Sequence, residues 1–167
     1  MANYKVPVGI QVSLDNSTFY DLSDHNRQPI DISYELIENS QRMANGTMRK
    51  YVVAKKQKIS TSWENVPSLS SNTVDSKYGA AWLKAFYEAY CFYPIYVKIT
   101  YAQDSVPTSS GLNLPNDSSY ADSANVSITS KSVFMTSFDY TVNKRMRSSR
   151  ASTAYDYVNV KIEFTEI

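Results

Sequence analysis

The sequence predicts a mainly β fold, an antiparallel β-sandwich with a projecting hairpin and one flanking α-helix, folded as a single domain over residues 1–167. Three observations carry that prediction. Apolar residues alternate with polar ones in several segments, an Asn-Gly pair separates two such segments, and one stretch alone repeats at three- and four-residue spacing.

Taken in chain order, Ile30, Ile32, Tyr34 and Leu36 fall on one face of an extended chain, and Asp31, Ser33 and Glu35 on the other. This is the pattern of a half-buried strand, because successive side chains of a strand point to opposite faces. Asn45-Gly46 stands between Arg42-Met43-Ala44 and Thr47-Met48-Arg49. It predicts a tight two-residue hairpin turn with both central residues at positive φ. Tyr51-Val52-Val53, Lys58 to Trp63, Ile95 to Tyr101 and Val126 to Val142 are rich in β-branched and aromatic residues and read as further strands. Val158, Val160, Ile162 and Phe164 alternate with Asn159, Lys161, Glu163 and Thr165 in a last one.

The exception to period two runs over about 75–92. Tyr78, Trp82, Phe86 and Ala89 recur at four- and three-residue spacing, with Ala81, Ala85 and Phe92 alongside, while Lys84 and Glu88 form an (i, i+4) pair on another face. Asp75 or Ser76 is placed to cap its start, and Pro94 stops it. Tyr78, Trp82 and Phe86 are expected to pack over the sheet as core; the competing reading is that these aromatics line a ligand site. From 102 to 125 the chain is rich in Ser, Asn, Asp and Pro, carries no Lys or Arg, and reads as a long exposed loop. Loops of this length inside a domain are usually functional or disordered, so this one suggests a partner.

Composition narrows the function. At 167 residues the chain hides about 68–70% of its unfolded surface, enough for an ordinary core without disulfides or metal. The net charge of +1 is too close to zero for a general polyanion binder. There is one Cys, Cys91, and one His, His25. A disulfide needs two thiols and a zinc site about four ligands, so both are excluded. Cys91 lies in the apolar run Tyr90-Cys91-Phe92-Tyr93 and reads as a small buried hydrophobe; His25, in Asp24-His25-Asn26-Arg27, reads as a solvated loop residue. No phosphate-binding Gly-rich loop, nucleophile elbow or zinc-protease helix motif occurs. The expectation is no enzyme, with no catalytic, cofactor or metal site. The N-terminus has no apolar run of signal-peptide length, and no segment approaches the ~20 apolar residues of a membrane span. A soluble product made in the cytoplasm, without membrane insertion, is expected.

Charge is segregated along the chain. Residues 1–40 hold six acids against Lys5 and Arg27, whereas residues 42–58 hold Arg42, Arg49, Lys50, Lys55, Lys56 and Lys58 and no acid. A second acid-free stretch, 143–155, holds Lys144, Arg145, Arg147 and Arg150. Three explanations compete: solvated hairpin faces, complementary contact between copies of the chain, and nucleic-acid contact. The last calls for interleaved aromatics, and only Tyr51 lies near the first patch.

The run from Arg42 to Lys56, Arg-Met-Ala-Asn-Gly-Thr-Met-Arg-Lys-Tyr-Val-Val-Ala-Lys-Lys, followed by Ile59-Ser60-Thr61-Ser62-Trp63-Glu64-Asn65-Val66-Pro67, resembles the hairpin region of tail proteins from long-tailed bacteriophages. Ala81 to Glu88, then a strand after Pro94, is similar to the sandwich-plus-helix plan of their tail tube proteins. The resemblance covers roughly residues 30–101, and the 102–125 loop has no counterpart in it. It implies a virion structural protein, a subunit of stacked homo-oligomeric rings, commonly hexameric, that meets other tail proteins and lets double-stranded DNA pass without specific binding. A minor tail, tail-tip or baseplate protein with the same fold is one alternative; a DNA-contacting β-ribbon protein and a receptor-binding virion module are others. The subunit interface is expected at Arg42, Met43, Asn45, Gly46, Arg49, Lys50, Lys55, Lys56 and Lys58 in the hairpin, and at Lys144, Arg145, Arg147 and Arg150. Most of these cations are expected at subunit contacts and away from the channel, because a lumen lined with cations would hold phosphates by counterion release.

Overall fold

The computed structural model describes residues 9–102, 106–108, 111–113, 126–127, 130–147 and 154–167. Its strands are β1 (Gly9–Ser13), β2 (Tyr20–Asp21), β3 (Asp31–Arg42), β4 (Met48–Pro67), β5 (Ile95–Ala102), β6 (Val106–Thr108), β7 (Gly111–Asn113), β8 (Val126–Ser127), β9 (Ser130–Arg147) and β10 (Ala154–Glu166), with one α-helix, α1 (Ala80–Tyr90). The fold is mainly antiparallel β with a single flanking helix. The main hydrogen-bonded path is continuous, β2-β1-β5-β9-β10-β4-β3, with β8 added beside β5, while β6 and β7 form a separate hairpin. Thus part of the expected 102–125 loop is strand; the rest of it, 103–105, 109–110 and 114–125, lies outside the described residues.

The path folds back on itself. Leaving β2, the chain crosses from one end of the sheet to the other: Leu22 N donates to Ile10 O of β1, while Gln28 N donates to Ser62 O of β4 and Asn26 O accepts from Glu64 N. The indole of Trp63, 1% exposed, donates through Nε1 to Ser23 O at 2.6 Å and pins this crossing from inside. One core results. Ile10 and Val12 of β1, Ile59 and Trp63 of β4, Ile95 and Val97 of β5, Val133 and Met135 of β9, the inward set Val158, Val160, Ile162 and Phe164 of β10, and α1 all contribute to it.

A β-bulge adjusts the phase of β4. Val66 pairs with Val158 and Trp63 with Val160, so two residues of β4 stand opposite Asn159. Asn65 accommodates the extra residue at φ 52°, and its N–H is held by Asn159 Oδ1 at 2.9 Å. Asn143 Nδ2 donates to both Asn65 Oδ1 and Asn159 Oδ1, across three strands. Because of the extra residue, Trp63 and Val66, three apart, both face the core, which strict alternation would forbid.

The helix is shorter than 75–92 and differently phased. Its N-cap is Gly79, without a side-chain cap, so neither Asp75 nor Ser76 caps it. A Cβ at Gly79 would stand 2.6 Å from Pro67 O, so the helix can start against the end of β4 only with glycine there. The fully buried residues of the helix are Ala80, Leu83 and Phe86. Of the expected core trio, Phe86 is buried, Trp82 is partly buried against the core, and Tyr78 precedes the helix at 36% exposure. Phe92 lies beyond the helix and is 85% exposed. The spacing of the large aromatics points to Tyr78, Trp82 and Phe86, whereas the helix presses Ala80 and Leu83 against the sheet together with Phe86.

Two substitutions test this packing. Leu83→Ala is expected to cost about 2–5 kcal/mol, as buried leucine truncations do, and Phe92→Ala less than about 0.5 kcal/mol, as exposed ones do. Urea unfolding of both variants measures the difference; equal losses would place the helix in another rotation.

Candidate functional site: the projecting arm and its surroundings

β3 and β4 pair from Asp31↔Ser60 to Arg42↔Met48, but β10 reaches along β4 only as far as Thr165↔Lys58. Among the described residues, 48–57 of β4 therefore have no third strand and, with β3, leave the body as a two-stranded arm roughly 30 Å long at about 3.3 Å per residue. At its root Gln57 N donates to Glu166 Oε2 at 2.9 Å.

The turn at the tip is not the expected two-residue one. Gly46 N bonds Met43 O, Met43 N bonds Thr47 O, and Thr47 N bonds Asn45 Oδ1. Gly46 alone has positive φ, 81°. This is a three-residue loop, Ala44-Asn45-Gly46, in which a four-residue turn is followed by a left-handed glycine. The Asn side chain braces the backbone, so Asn45 itself stays out of the left-handed region.

The arm's faces follow from its register. Ile32 and Ile59 stand opposite each other at the body, and Tyr34↔Gln57, Leu36↔Lys55 and Arg42↔Met48 share their face. Between Ile37 and Glu38 the register slips: Ile37 pairs with Ala54 and Glu38 with Val52, which leaves Val53 extra. The bulge brings Val52, in place of Val53, onto the face continuous with the core. Tyr34 (57% exposed), Leu36 (46%), Val52 (47%) and Met48 (58%) thus stand uncovered on this face, interspersed with Lys55, Glu38, Ser40, Lys50 and Arg42, while Ile37 and Tyr51 are exposed on the opposite one. The sequence pattern placed Tyr34 and Leu36 on a buried face. Their alternation does continue the core face, but the strand has left the body before it reaches them.

The arm's charges are largely met within the chain. Lys50 pairs with Glu38 at 2.5 Å and Lys58 with Glu35 at 2.7 Å, each a diagonal pair across the two strands. Lys55 lies over the Tyr34 ring, 5.0 Å from its centre, and Lys56 donates to the Ile167 carbonyl. Part of the complementarity between the acidic N-terminal region and the basic hairpin is therefore satisfied in one copy. Among the described residues Arg42 and Arg49, on the outer half of the arm, have no ion pair.

The second basic segment is elsewhere. β9 and β10 pair out to Ala154↔Arg147, beyond Pro67, where β4 ends opposite Tyr157. This hairpin emerges from the opposite end of the sheet to the arm, so the two basic segments form no common patch. There Arg145 pairs with Asp156 at 3.0 Å and Lys144 lies 5.8 Å from the Tyr157 ring centre. Arg147 closes the described ladder, and Arg150 lies outside the described residues.

Beside α1 is a concave aromatic surface. Tyr78, Trp82, Phe86 and Tyr90 form a row down one side of the helical segment, with ring-centre steps of 4.4, 5.0 and 5.2 Å, and Tyr20 of β2 leans on Trp82 at 5.5 Å. Leu14, Tyr20, Trp82, Ala85, Phe86 and Tyr90 line a groove of about 280 Å³. Phe86 belongs to the core and Trp82 and Tyr90 are partly buried against it, so the row is buried on the sheet side and open at the groove. The residues not legible in the sequence are Leu14, which directly follows β1, and Tyr20, which β2 brings beside the helix by pairing with β1.

Asp75 has a role other than capping. It accepts from Ser23 Oγ and Asp24 N, both at 2.8 Å, and from Lys77 N at 3.2 Å, tying the crossing segment to the approach to α1. Burial alone would raise its pKa, but these hydrogen bonds outweigh burial and hold the carboxyl below its ordinary value. His25 accepts at Nδ1 from Val74 N at 3.1 Å, so it is engaged where a free loop residue was expected. Cys91 is only partly buried and serves as the C-cap of α1. Among the described residues no group of three or more His, Cys, Asp or Glu could hold a metal ion, and no helix is long and apolar enough to cross a membrane. Searches against protein-family models and against curated proteins find no match.

The Asp75 clamp makes stability pH-dependent with a definite sign. Its folded-state pKa lies below the unfolded value of about 3.9, so its contribution is present above about pH 4 and is lost as pH falls through the folded value. Asp75→Asn should lower stability at pH 7 and flatten the loss between pH 7 and pH 3, read by thermal melts across that range. An unchanged slope would show that the clamp does not discriminate charge.

Proposed function

We propose that the chain is a virion structural subunit, assembling into stacked rings that form the tail tube of a long-tailed bacteriophage, the conduit through which double-stranded DNA passes. The observation that carries this reading is the arm: some 30 Å of two-stranded ribbon that leaves Tyr34, Leu36, Val52 and Met48 exposed on one face and Ile37 and Tyr51 on the other. A ribbon that exposes both apolar side chains and a free strand edge is an aggregation hazard for a protein working alone. It is an asset in one whose task is association.

Two further features support assembly. The arm and the β9–β10 hairpin leave opposite ends of one sheet, which gives the subunit two different surfaces along one axis, as head-to-tail stacking requires. The arm's cations favour protein contact over nucleic-acid contact. Four of its six have partners in the chain, so a DNA-reading ribbon would first have to give up pairs such as Lys50–Glu38 and Lys58–Glu35. The number of subunits per ring, six, and the passage of DNA come from the resemblance in residues 30–101.

Negative-stain microscopy of the purified chain tests the reading. Ordered rings or tubes are expected at high concentration. Leu36→Gln with Val52→Gln should leave circular dichroism and melting temperature within a few degrees of the parent while abolishing polymers. A chain that stays monomeric throughout, or that binds duplex DNA with a steep salt dependence, would overturn it.

A further inference from the structure

We infer that Glu166 is a brace across a fork in the sheet, and that it fixes the direction in which the arm leaves the body. Its use in presenting the arm to another copy rests on the assembly reading above. The register locates the fork. β10 pairs with β4 as far as Thr165↔Lys58 and with β9 through Glu166↔Val133, and Ile167 N donates onward to Ser132 O at 3.1 Å. β10 thus stays with the body while β4 departs with β3, and the two strands part between Lys58 and Gln57.

The end of a ladder is where strands fray. The first β4 residue beyond this end is Gln57, only 6% exposed, so water is a poor substitute partner for its N–H. The Glu166 carboxylate takes the place of the ladder carbonyl. Its Oε2 accepts from Gln57 N at 2.9 Å, while its Oε1 accepts from Lys131 Nζ of β9 at 3.1 Å. One side chain on the middle strand of three therefore ties the root of the arm to the strand on the far side. Lys56 Nζ donates to the Ile167 carbonyl and closes the fork from the arm's side. Among the described residues, these are the only hydrogen bonds that join residues 48–57 of β4 to anything but β3.

The carboxyl is electrically suited to this task. Burial pushes it up, but the hydrogen bonds from Lys131 and Gln57 N, with the charge of Lys56 close by, outweigh burial and hold it below the ordinary carboxylate value. It is ionised at neutral pH, and hydrogen bonds to an ionised acceptor are the stronger kind. An arm held in one direction has given up in advance the freedom that docking would otherwise remove, so bracing favours association without adding a contact to the partner.

Spin labels on a single chain read the arm's direction. Cys91, the one native thiol, is partly exposed on the body, and Thr47→Cys adds a second at the exposed tip of the arm. With labelled chain diluted in unlabelled chain, so that only distances within one copy count, the parent should show one narrow distance distribution. Glu166→Ala should broaden and shift it, and should speed exchange of the Gln57 amide roughly ten- to a hundredfold, the effect of one lost bond to a charged acceptor. Glu166→Gln, which keeps an acceptor for Gln57 N and gives up the Lys131 ion pair, should fall between. Glu163→Ala, which removes a β10 glutamate paired with Lys161, should match the parent. A broad distribution in the parent, or one that stays narrow in Glu166→Ala, overturns the brace whether or not the chain assembles. If the parent polymerises, Glu166→Ala should need a higher concentration to do so; polymers at the parent's own concentration would overturn the presenting role. A parent chain that never associates overturns the assembly reading and leaves the brace to stand or fall on the distances alone.

Discussion

The fold depends on one buried contact, the indole of Trp63 against the carbonyl of Ser23. A seven-strand antiparallel path has two edges, here β2 and β3, and because β2 covers only Gln11 and Val12 of β1 while β3 stops at Ser60 of β4, an open sheet would leave backbone of β1 and of the inner half of β4 unpaired on opposite sides. The crossing from Tyr20 to Asp31 brings those sides together by giving one stretch of hydrogen bonds to β1 and another to β4. A crossing of this kind carries buried polar groups with it. Trp63 satisfies one from inside the core, and Asp75 takes up a hydroxyl and two amides at the rim. A buried carbonyl without a partner costs about as much as a lost hydrogen bond, so closure and polar satisfaction are here a single requirement.

Once the sheet is closed, its surplus length has to go somewhere. β4 has 20 residues and its partner β10 has 13, so part of β4 must run past the body. The extra residue at Val53 then sets which side chains of that overhang continue the core face, and the one at Asn65 sets which residues of the inner half are buried. The same strand is thus core at one end and exposed ribbon at the other, separated by a change of neighbours and not by a change of composition.

That division explains what could be read from the sequence. The strands of the body were legible where alternation is strict, as in Val158 to Phe164, because a buried face leaves an unambiguous period-two trace. So was the existence of the hairpin. What alternation cannot report is whether a third strand lies alongside: Tyr34 and Leu36 read as buried because their pattern matches that of Ile30 and Ile32, and only the register with β10 shows that the body has ended. β1 and β2 are five and two residues long and leave too short a trace, yet they supply Leu14 and Tyr20 to the groove. The basic residues were legible as a cluster, but their partners Glu35 and Glu38 lie on the facing strand, where linear charge counting sees segregation in place of pairing.

The opposed hairpins also have a mechanical meaning. A pull applied at the arm tip travels along β4, and its inner half is bonded to β10 by a ladder whose hydrogen bonds lie across the direction of pull. β10 in turn is laddered to β9 over nearly its whole length, out to the hairpin at the far end. Tension entering at one tip and leaving at the other therefore loads these bonds together, in shear, and never peels them one at a time. A chain built this way resists being drawn out along its long axis far better than being opened sideways, a directional toughness that suits a part loaded end to end.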